Sequence, residues 1–381
     1  MANKKKVNKL VGRPLIRNDN NPNWTSNERF SIIADMINTS SRIEGLLNAI
    51  KDPIKTAIWK VKDNGASARV VKYVEDWLFN ELNFYKLLND VLKYLDYGSM
   101  IFEKVYVPKK GRHYIELQPR YPYTILTWNV DTEKNKIISV TQMTAGGSVE
   151  IPYKKLFLIV NDWEGLTPIG KPIVRTLYRD FVLEREITVA AATGLKRNLM
   201  GIPVAHYPDS ITADDEKQIL EMLQQITVSD KAYFAEKGDV EFRFQAIEGN
   251  LPKPDGLLDY LWQSTNASQS ANMLSLATSN RGSRAVGNSL APPFYNRIAA
   301  IARDISMAFN ELIKEAVEIN FNTDKYPTIV ASGISAKDFS DKAYALAALK
   351  DVVLNDLTPE EKESLKTYIF EAFEIPIGGK K

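Results

Sequence analysis

Two long helical patterns separated by a short mixed segment place the strongest constraint on how this chain folds. Apolar spacing predicts one helix over residues 173–199, about 40 Å long at the usual rise per residue, with Gly201 two residues after its end. Asp255 caps a second helix, and Thr212 opens a shorter one between the two. The size of the intervening unit indicates an insertion between two long helices. Its predicted strands cover residues 202–207, 231–235 and 240–246.

The rest of the chain predicts an α+β protein that is predominantly helical. Helical spacing prevails between residues 27 and 95, and Pro292 with Pro293 introduces a further helix that runs to about Asn320. Between residues 100 and 160 the apolar period changes to two, which predicts an antiparallel meander. Its strands are expected at residues 100–107, 114–117, 123–128, 137–143 and 156–160. The C-terminus is expected to close with helices at residues 340–354 and 359–373.

Composition excludes several classes of chemistry. The 381 residues include no Cys and only two His, so zinc sites, disulfides, thiol catalysis and most imidazole chemistry lack their usual side chains. We interpret His113 and His206 as surface or strand residues, and we predict no catalytic residue, no metal and no cofactor. The apolar runs are too short to cross a membrane, and the N-terminus is not signal-like. We therefore expect a soluble protein without a membrane partner, in a reducing compartment.

One segment nearly matches a phosphate-binding loop. Residues 165–172 follow a hydrophobic strand, precede a helix, and contain two glycines and Lys171. The position after the lysine is Pro172, which has neither the hydroxyl that holds magnesium nor a backbone N–H for phosphate. We interpret the segment as a connection between strand and helix rather than as a nucleotide site.

Positive charge is concentrated at the N-terminus, although the formal net charge is only +2. That net charge argues against the overall basic character of a tight nucleic-acid binder. The segment before the first acid, Asp19, has no apolar periodicity. It is either an arm that contacts a negative partner or a solvated tail. Its basic residues are Lys4, Lys5, Lys6, Lys9, Arg13 and Arg17.

Residues 263–280 carry no charge and are mostly Ser, Thr, Asn, Gln and Ala. Such a stretch can belong to a helix that packs against neighbouring subunits, or it can form a polar loop. It also suits a wall past which a polyanion slides, because fixed phosphate contacts add affinity and affinity opposes sliding. A loop that contains Arg281 and Arg284 follows the stretch.

Short segments of recognisable sequence occur in a fixed order between residues 25 and 320. They cover residues 41–46, 58–61, 88–103, 165–170, 198–203, 282–285 and 320–321. In this order they resemble portal proteins of tailed bacteriophages, most closely the branch of the phage Mu portal. The C-terminal region is shorter than in many portals, so the resemblance does not imply an extended crown or barrel.

The resemblance implies a portal-like fold with an α/β wing, two long stem helices, a small α/β clip and a short helical C-terminal region. The implied divisions are a basic N-terminal arm (1–25), the wing (26–170), stem helix 1 (171–201), the clip (202–249), stem helix 2 (250–276), a tunnel loop (277–291) and wing or crown helices (292–381). The residues of the tunnel loop implied to face DNA are Asn280, Arg281, Ser283, Arg284 and Asn288.

The resemblance also implies a structural protein that is not an enzyme. It would form a homo-oligomeric ring, commonly of twelve subunits, at one vertex of the virion capsid after assembly in the cytoplasm of a bacterial host. The ring would pass double-stranded DNA during packaging and ejection, dock the terminase large subunit and later a head–tail adaptor or neck protein, and contact the major capsid protein. From the residues alone, a DNA-binding protein and a scaffold or adaptor without a channel remain alternatives.

Overall fold

The chain divides into two compact units. Unit 1 comprises Met1–Tyr178 and Gln263–Lys381, and unit 2 comprises Arg179–Trp262, so unit 2 is inserted into the sequence of unit 1. The computed structural model describes residues 8–11, 21, 24, 27–109, 111–131, 136–163, 168–200, 202–228, 241–245, 254–272, 274, 284–334 and 358.

Unit 1 opens with a group of helices whose apolar stripes form one side of its core. Ser40 caps the second helix by accepting the N–H of Ile43 at 3.4 Å. That helix buries its apolar side chains at the three- and four-residue spacing of one helical face. The helices are α1 (Arg29–Thr39), α2 (Ser41–Thr56), α3 (Ala68–Glu75), α4 (Phe84–Val91) and α5 (Tyr94–Tyr97), with a π-helical segment, Asp76–Glu81, before α4.

The described strands of unit 1 are β1 (Asn8–Val11), β2 (Ile58–Lys62), β3 (Ser99–Lys109), β4 (Arg112–Arg120), β5 (Ile125–Asp131), β6 (Lys136–Thr144), β7 (Gly147–Pro152), β8 (Leu156–Val160) and β11 (Thr328–Ser332). They form three antiparallel sheets, with strand orders β4-β3-β8, β1-β5-β6-β7 and β11-β2.

The five strands predicted between residues 100 and 160 are confirmed, but the single meander is wrong. β8 returns to pair with β3, with Ser99 opposite Val160, and a further strand, β7, extends the other sheet. The reason lies in β3, whose consecutive residues Met100, Ile101 and Phe102 are all buried. A strand covered in this way is central, so it needs a hydrogen-bonded partner on each edge.

Helix α9 (Arg284–Asn320) is the central element of the core of unit 1. The ring of Phe309 makes edge-to-face contacts with Phe84 of α4 and Phe157 of β8, each at a centroid distance of 5.0 Å. The helix therefore joins the N-terminal helices to the three-stranded sheet. Its buried side chains include Phe294, Ile298, Ile305, Phe309, Ile313 and Val317.

The predicted start of this helix is wrong. Pro292 and Pro293 lie inside α9 rather than at its first position, because the helix begins at Arg284. Proline lacks the N–H that bonds to the carbonyl four residues earlier, so the carbonyls of Asn288 and Ser289 lose that helical partner. The first turns of α9 are thus held less firmly than the rest.

Asn320 ties the end of α9 to strand β4. Its Nδ2 donates to the carbonyl of Ala316 at 2.8 Å, to the carbonyl of His113 at 2.7 Å and to the hydroxyl of Tyr73 at 2.9 Å. Its Oδ1 accepts the N–H of His113 at 2.8 Å. His113 thus contributes its backbone to this junction, and both histidines lie on strands, in line with the interpretation given to them.

Helix α6 (Tyr178–Met200), which follows a 3-10 turn at Ile173–Leu177, begins at the boundary of unit 2. Unit 2 then contains β9 (Ile202–His206), α7 (Ala213–Val228), β10 (Glu241–Gln245) and the greater part of α8 (Asp255–Ser268), whose last residues, from Gln263 on, belong to unit 1. β9 and β10 pair antiparallel. The hydroxyl of Thr212 accepts the N–H of Asp215 at 3.3 Å, which confirms the predicted cap of α7. The strand predicted at 231–235 and the helices predicted at 340–354 and 359–373 fall outside the described residues. Among the helices that are described, none has the length and apolarity to cross a bilayer.

A buried ion pair links α2 to α5. The ammonium of Lys51 lies 2.6 and 2.7 Å from the two carboxylate oxygens of Asp96, a residue that is 7% exposed. Burial raises the pKa of the Asp96 carboxyl, and the neighbouring Lys51 ammonium opposes that rise. A second pair, at 2.6 Å, joins Lys104 of β3 to Glu315 of α9.

Replacing Lys51 should destabilise the protein in a pH-dependent way. Lys51→Met leaves a buried carboxylate without its counter-charge and should lower the free energy of unfolding by about 3 kcal/mol at neutral pH. Lys55→Met, which removes an exposed partner of Asp52, should lower it by less than about 1 kcal/mol. An acid whose pKa is raised in the folded state gains protons on folding, so the deficit of Lys51→Met should shrink as pH falls. Urea titrations of both variants at several pH values measure this, and equal losses would contradict it.

Candidate assembly interface

Helix α6 exposes large apolar side chains around its circumference. Leu183 is 39% exposed, Val189 61% and Leu195 58%. Successive members are six residues apart, a rotation of about 240°, so the three positions point in three directions around the 23-residue helix. A helix that is apolar on several sides is typical of one buried between neighbours. The described part of this chain leaves these side chains uncovered.

The other helices of unit 2 add to this uncovered apolar surface. On α8, Leu257 is 51% exposed and Tyr260 is 60% exposed, and their three-residue spacing places them on the same side of that helix. Leu220 of α7 is 50% exposed. Several large apolar side chains exposed on three helices of one small unit suit a surface that another molecule covers.

The uncharged stretch begins at the end of α8 and differs from the prediction. Ser270 adopts a left-handed conformation at a φ of 57°, which ends the helical run soon after Ser268 and well before residue 276. Thr265, Asn266 and Gln269 are buried, so these polar side chains do not form the exposed wall that the sequence suggested. Neither Asn266 Nδ2 nor Gln269 Oε1 has a hydrogen-bond partner in the described structure.

The structure places only part of the predicted loop and arm. Arg284 and Asn288 lie in the first turns of α9, whereas Asn280, Arg281 and Ser283 lie outside the described residues. Lys9 lies on β1, where it is opposite Asn129 of β5. Part of the N-terminal segment is therefore a strand, whereas the sequence predicts only an arm or a solvated tail. Outside the described residues lie Lys4, Lys5, Lys6, Arg13 and Arg17.

The segment that nearly matches a phosphate-binding loop packs its backbone against that of Gly98. Gly170 has a φ of +65°, and a Cβ added there would lie 2.0 Å from the carbonyl oxygen of Gly98. The N–H of Asn161 donates to that same carbonyl at 2.8 Å, and its Nδ2 donates to the carbonyl of Lys171 at 2.6 Å. The glycine is thus required where two backbones touch, which agrees with the interpretation of the segment as a connection. In the described part of the chain, no group of three or more His, Asp or Glu side chains could hold a metal ion.

Two glycine substitutions should have opposite effects on stability. Gly170→Ala places a methyl group against the backbone at a positive φ and should lower the free energy of unfolding by about 2 kcal/mol or more. Gly45 lies in α2 with open space around its Cβ position, so Gly45→Ala should raise it by about 0.5–1 kcal/mol. Urea unfolding measures both changes. A Gly170→Ala variant with the same free energy of unfolding as the parent would contradict a close backbone contact at Gly170.

The sequence matches the family described as the portal protein of Mu bacteriophage over residues 30–371. No curated protein sequence matches the chain significantly.

Solved structures share the fold at low sequence identity. A chain in the neck of an empty GTA particle computed with C6 symmetry has a TM-score of 0.63 at 9% identity, covering 93% of this chain and 95% of that chain. A chain in the virion of a native gene transfer agent particle has a TM-score of 0.61 at 9% identity, with 91% and 95% covered. A chain in the neck of a native GTA particle computed with C12 symmetry has a TM-score of 0.61 at 10% identity, with 93% and 95% covered.

Proposed function

Because the chain belongs to the family of the portal protein of Mu bacteriophage, we propose that it is a structural subunit of a homo-oligomeric ring at one vertex of a capsid and that it is not an enzyme. The ring is a channel for double-stranded DNA during packaging and ejection. It is assembled in the cytoplasm of the bacterial host and remains in the virion.

The observation that carries this proposal is the set of three large apolar side chains that α6 exposes in three directions. In a closed ring every subunit meets two neighbours through two different surfaces. A helix with Leu183, Val189 and Leu195 pointing in three directions has apolar contacts to offer on more than one side. One two-fold dimer contact would leave part of it in water. We propose twelve subunits, the symmetry with which one of the similar necks was computed.

The remaining parts of the chain take their roles from this arrangement. The helices α6 and α8 are the paired stem helices, and residues 202–249, inserted between them, are the clip that docks the terminase large subunit and later a head–tail adaptor or neck protein. Residues 26–170, with the C-terminal helices, are the wing beside the major capsid protein. Residues 277–291, of which 284–291 are the first turns of α9, are the tunnel segment that faces DNA, and the basic segment 1–25 contacts an anionic partner.

A carboxylate in the middle of α6 should prevent ring formation without unfolding the subunit. Val189→Asp places a charge on a side chain that is exposed in the single chain and desolvated between subunits. Purified Val189→Asp protein should be monomeric by mass photometry, with the far-ultraviolet circular dichroism of the parent.

The matched control is Asn48→Asp, which introduces the same charge at an exposed position of α2 and should leave the oligomer intact. Rings of normal size formed by Val189→Asp would remove α6 from the interface.

Charge reversal at the base of the tunnel loop should impair DNA packaging and leave assembly unaffected. Arg281→Glu with Arg284→Glu replaces two cations near the path of DNA with anions that repel its phosphates. Particles assembled with this subunit should protect much less DNA from nuclease, while rings look normal by electron microscopy. Arg281→Lys with Arg284→Lys keeps the charge and should package normally. Full packaging by the glutamate variant would contradict the assignment of the loop.

A further inference from the structure

Two arginines share one aromatic ring at the C-terminal end of α9. The guanidinium carbon of Arg112, on β4, lies 4.8 Å from the ring centre of Phe321 and 5.3 Å from that of Tyr73. The guanidinium carbon of Arg69, on α3, lies 5.9 Å from the same Phe321 ring. The structure therefore gathers two cations from separate elements around one aromatic side chain.

Neither arginine has a carboxylate partner in the described part of the chain. The neighbouring lysines differ in this respect. Lys109 is opposite Arg112 in the β3–β4 register, and its ammonium lies 2.5 Å from a carboxylate oxygen of Glu81. Lys104 on the same hairpin is paired with Glu315. These two carboxylates thus form ion pairs with the lysines, and the charges of the two arginines are not neutralised.

The aromatic platform under the arginines is fixed. Tyr73 is 2% exposed, and its hydroxyl donates to the carbonyl of His113 at 2.8 Å. The N–H of Phe321 donates to the carbonyl of Val317 at 2.8 Å, so its backbone continues the last turn of α9. A guanidinium that lies against a ring keeps its in-plane N–H groups available, and their fork matches the two oxygens of a carboxylate.

Hydrogen bonding to the last carbonyls of α9 does not explain the presence of the two arginines. Cations near a helix C-terminus commonly donate to its last carbonyls. Here the carbonyl of Ala316 is bonded by Asn320 Nδ2 and that of Val317 by the N–H of Phe321. In the structure as described, neither Arg69 nor Arg112 donates a side-chain hydrogen bond to a backbone carbonyl; Arg69 is exposed and Arg112 is half-buried.

We propose that Arg69, Arg112 and Phe321 form a docking site for an acidic segment of a partner protein. DNA fits the surface less well. Tyr73 is buried and two guanidiniums already lie close to the Phe321 ring, so neither ring is free to stack bases. Two unneutralised cations match one or two carboxylates, whereas DNA interfaces neutralise about six to ten phosphates. The site also lies at the opposite end of α9 from Arg284, about 50 Å away along the helix, so it does not belong to the tunnel loop.

The test uses fluorescein-labelled hexaglutamate as the probe and fluorescence anisotropy with the full chain at low salt. The parent protein should bind saturably, and Arg69→Gln with Arg112→Gln should weaken binding about tenfold or more. The charge-matched control is Lys60→Gln with Lys62→Gln, which removes two exposed cations from β2 and should change affinity by less than about twofold. Arg69→Lys with Arg112→Lys should give an intermediate loss, because lysine keeps the charge and lacks the planar fork.

The proposal is overturned if the parent shows no saturable binding, or if both glutamine pairs lose affinity equally. Tighter binding of a short DNA duplex that depends on the same two arginines would overturn the assignment to a protein partner. Thermal unfolding checks that the variants are folded, and the lysine pair carries the test if the glutamine pair is not. Binding should be the same for rings and for monomeric Val189→Asp, so the result is separate from the outcome for ring assembly.

Discussion

The burial of α9 is the constraint on which the rest of unit 1 depends. The helix brings its Phe309 ring against α4 and β8, its Glu315 against the buried Lys104, and its Asn320 against the backbone of β4. These contacts come from segments far apart in sequence, so the helix sets their relative positions. Its first turns, before Pro292, belong to the segment proposed to face DNA. Helix α9 thus lies at the centre of the core of unit 1 and also begins within the proposed tunnel segment.

Unit 2 leaves large apolar side chains of its helices exposed. Most helical stability in proteins comes from packing an apolar face, and α6 has apolar side chains on several sides that the chain itself leaves exposed. Copies of the chain arranged in a ring would cover that surface, so assembly would contribute stability that a single subunit lacks. The functional information in unit 2 therefore lies in the apolar side chains that its helices leave exposed.

The sequence predicted local elements well and long-range arrangement poorly. Period-two spacing located the strands between residues 100 and 160, and Thr212 marked the start of α7, because both signals are local. The return of β8 to β3 is a pairing between distant segments that no periodicity encodes. The start of α9 was missed because tertiary packing tolerates two prolines that normally mark a helix boundary. The end of α8 was missed because Ser270, rather than a glycine, takes the left-handed conformation.

The functional residues divide in the same way. Arg284 and Asn288 are proposed from the resemblance alone, whereas the exposure of Val189 and the sharing of Phe321 by Arg69 and Arg112 are visible only in the folded chain. The central claim is that copies of this chain close into a ring around a channel. Electron microscopy of the purified, negatively stained protein tests it most directly. The account predicts uniform rings with a central hole, and a field of single compact particles without a hole would contradict it.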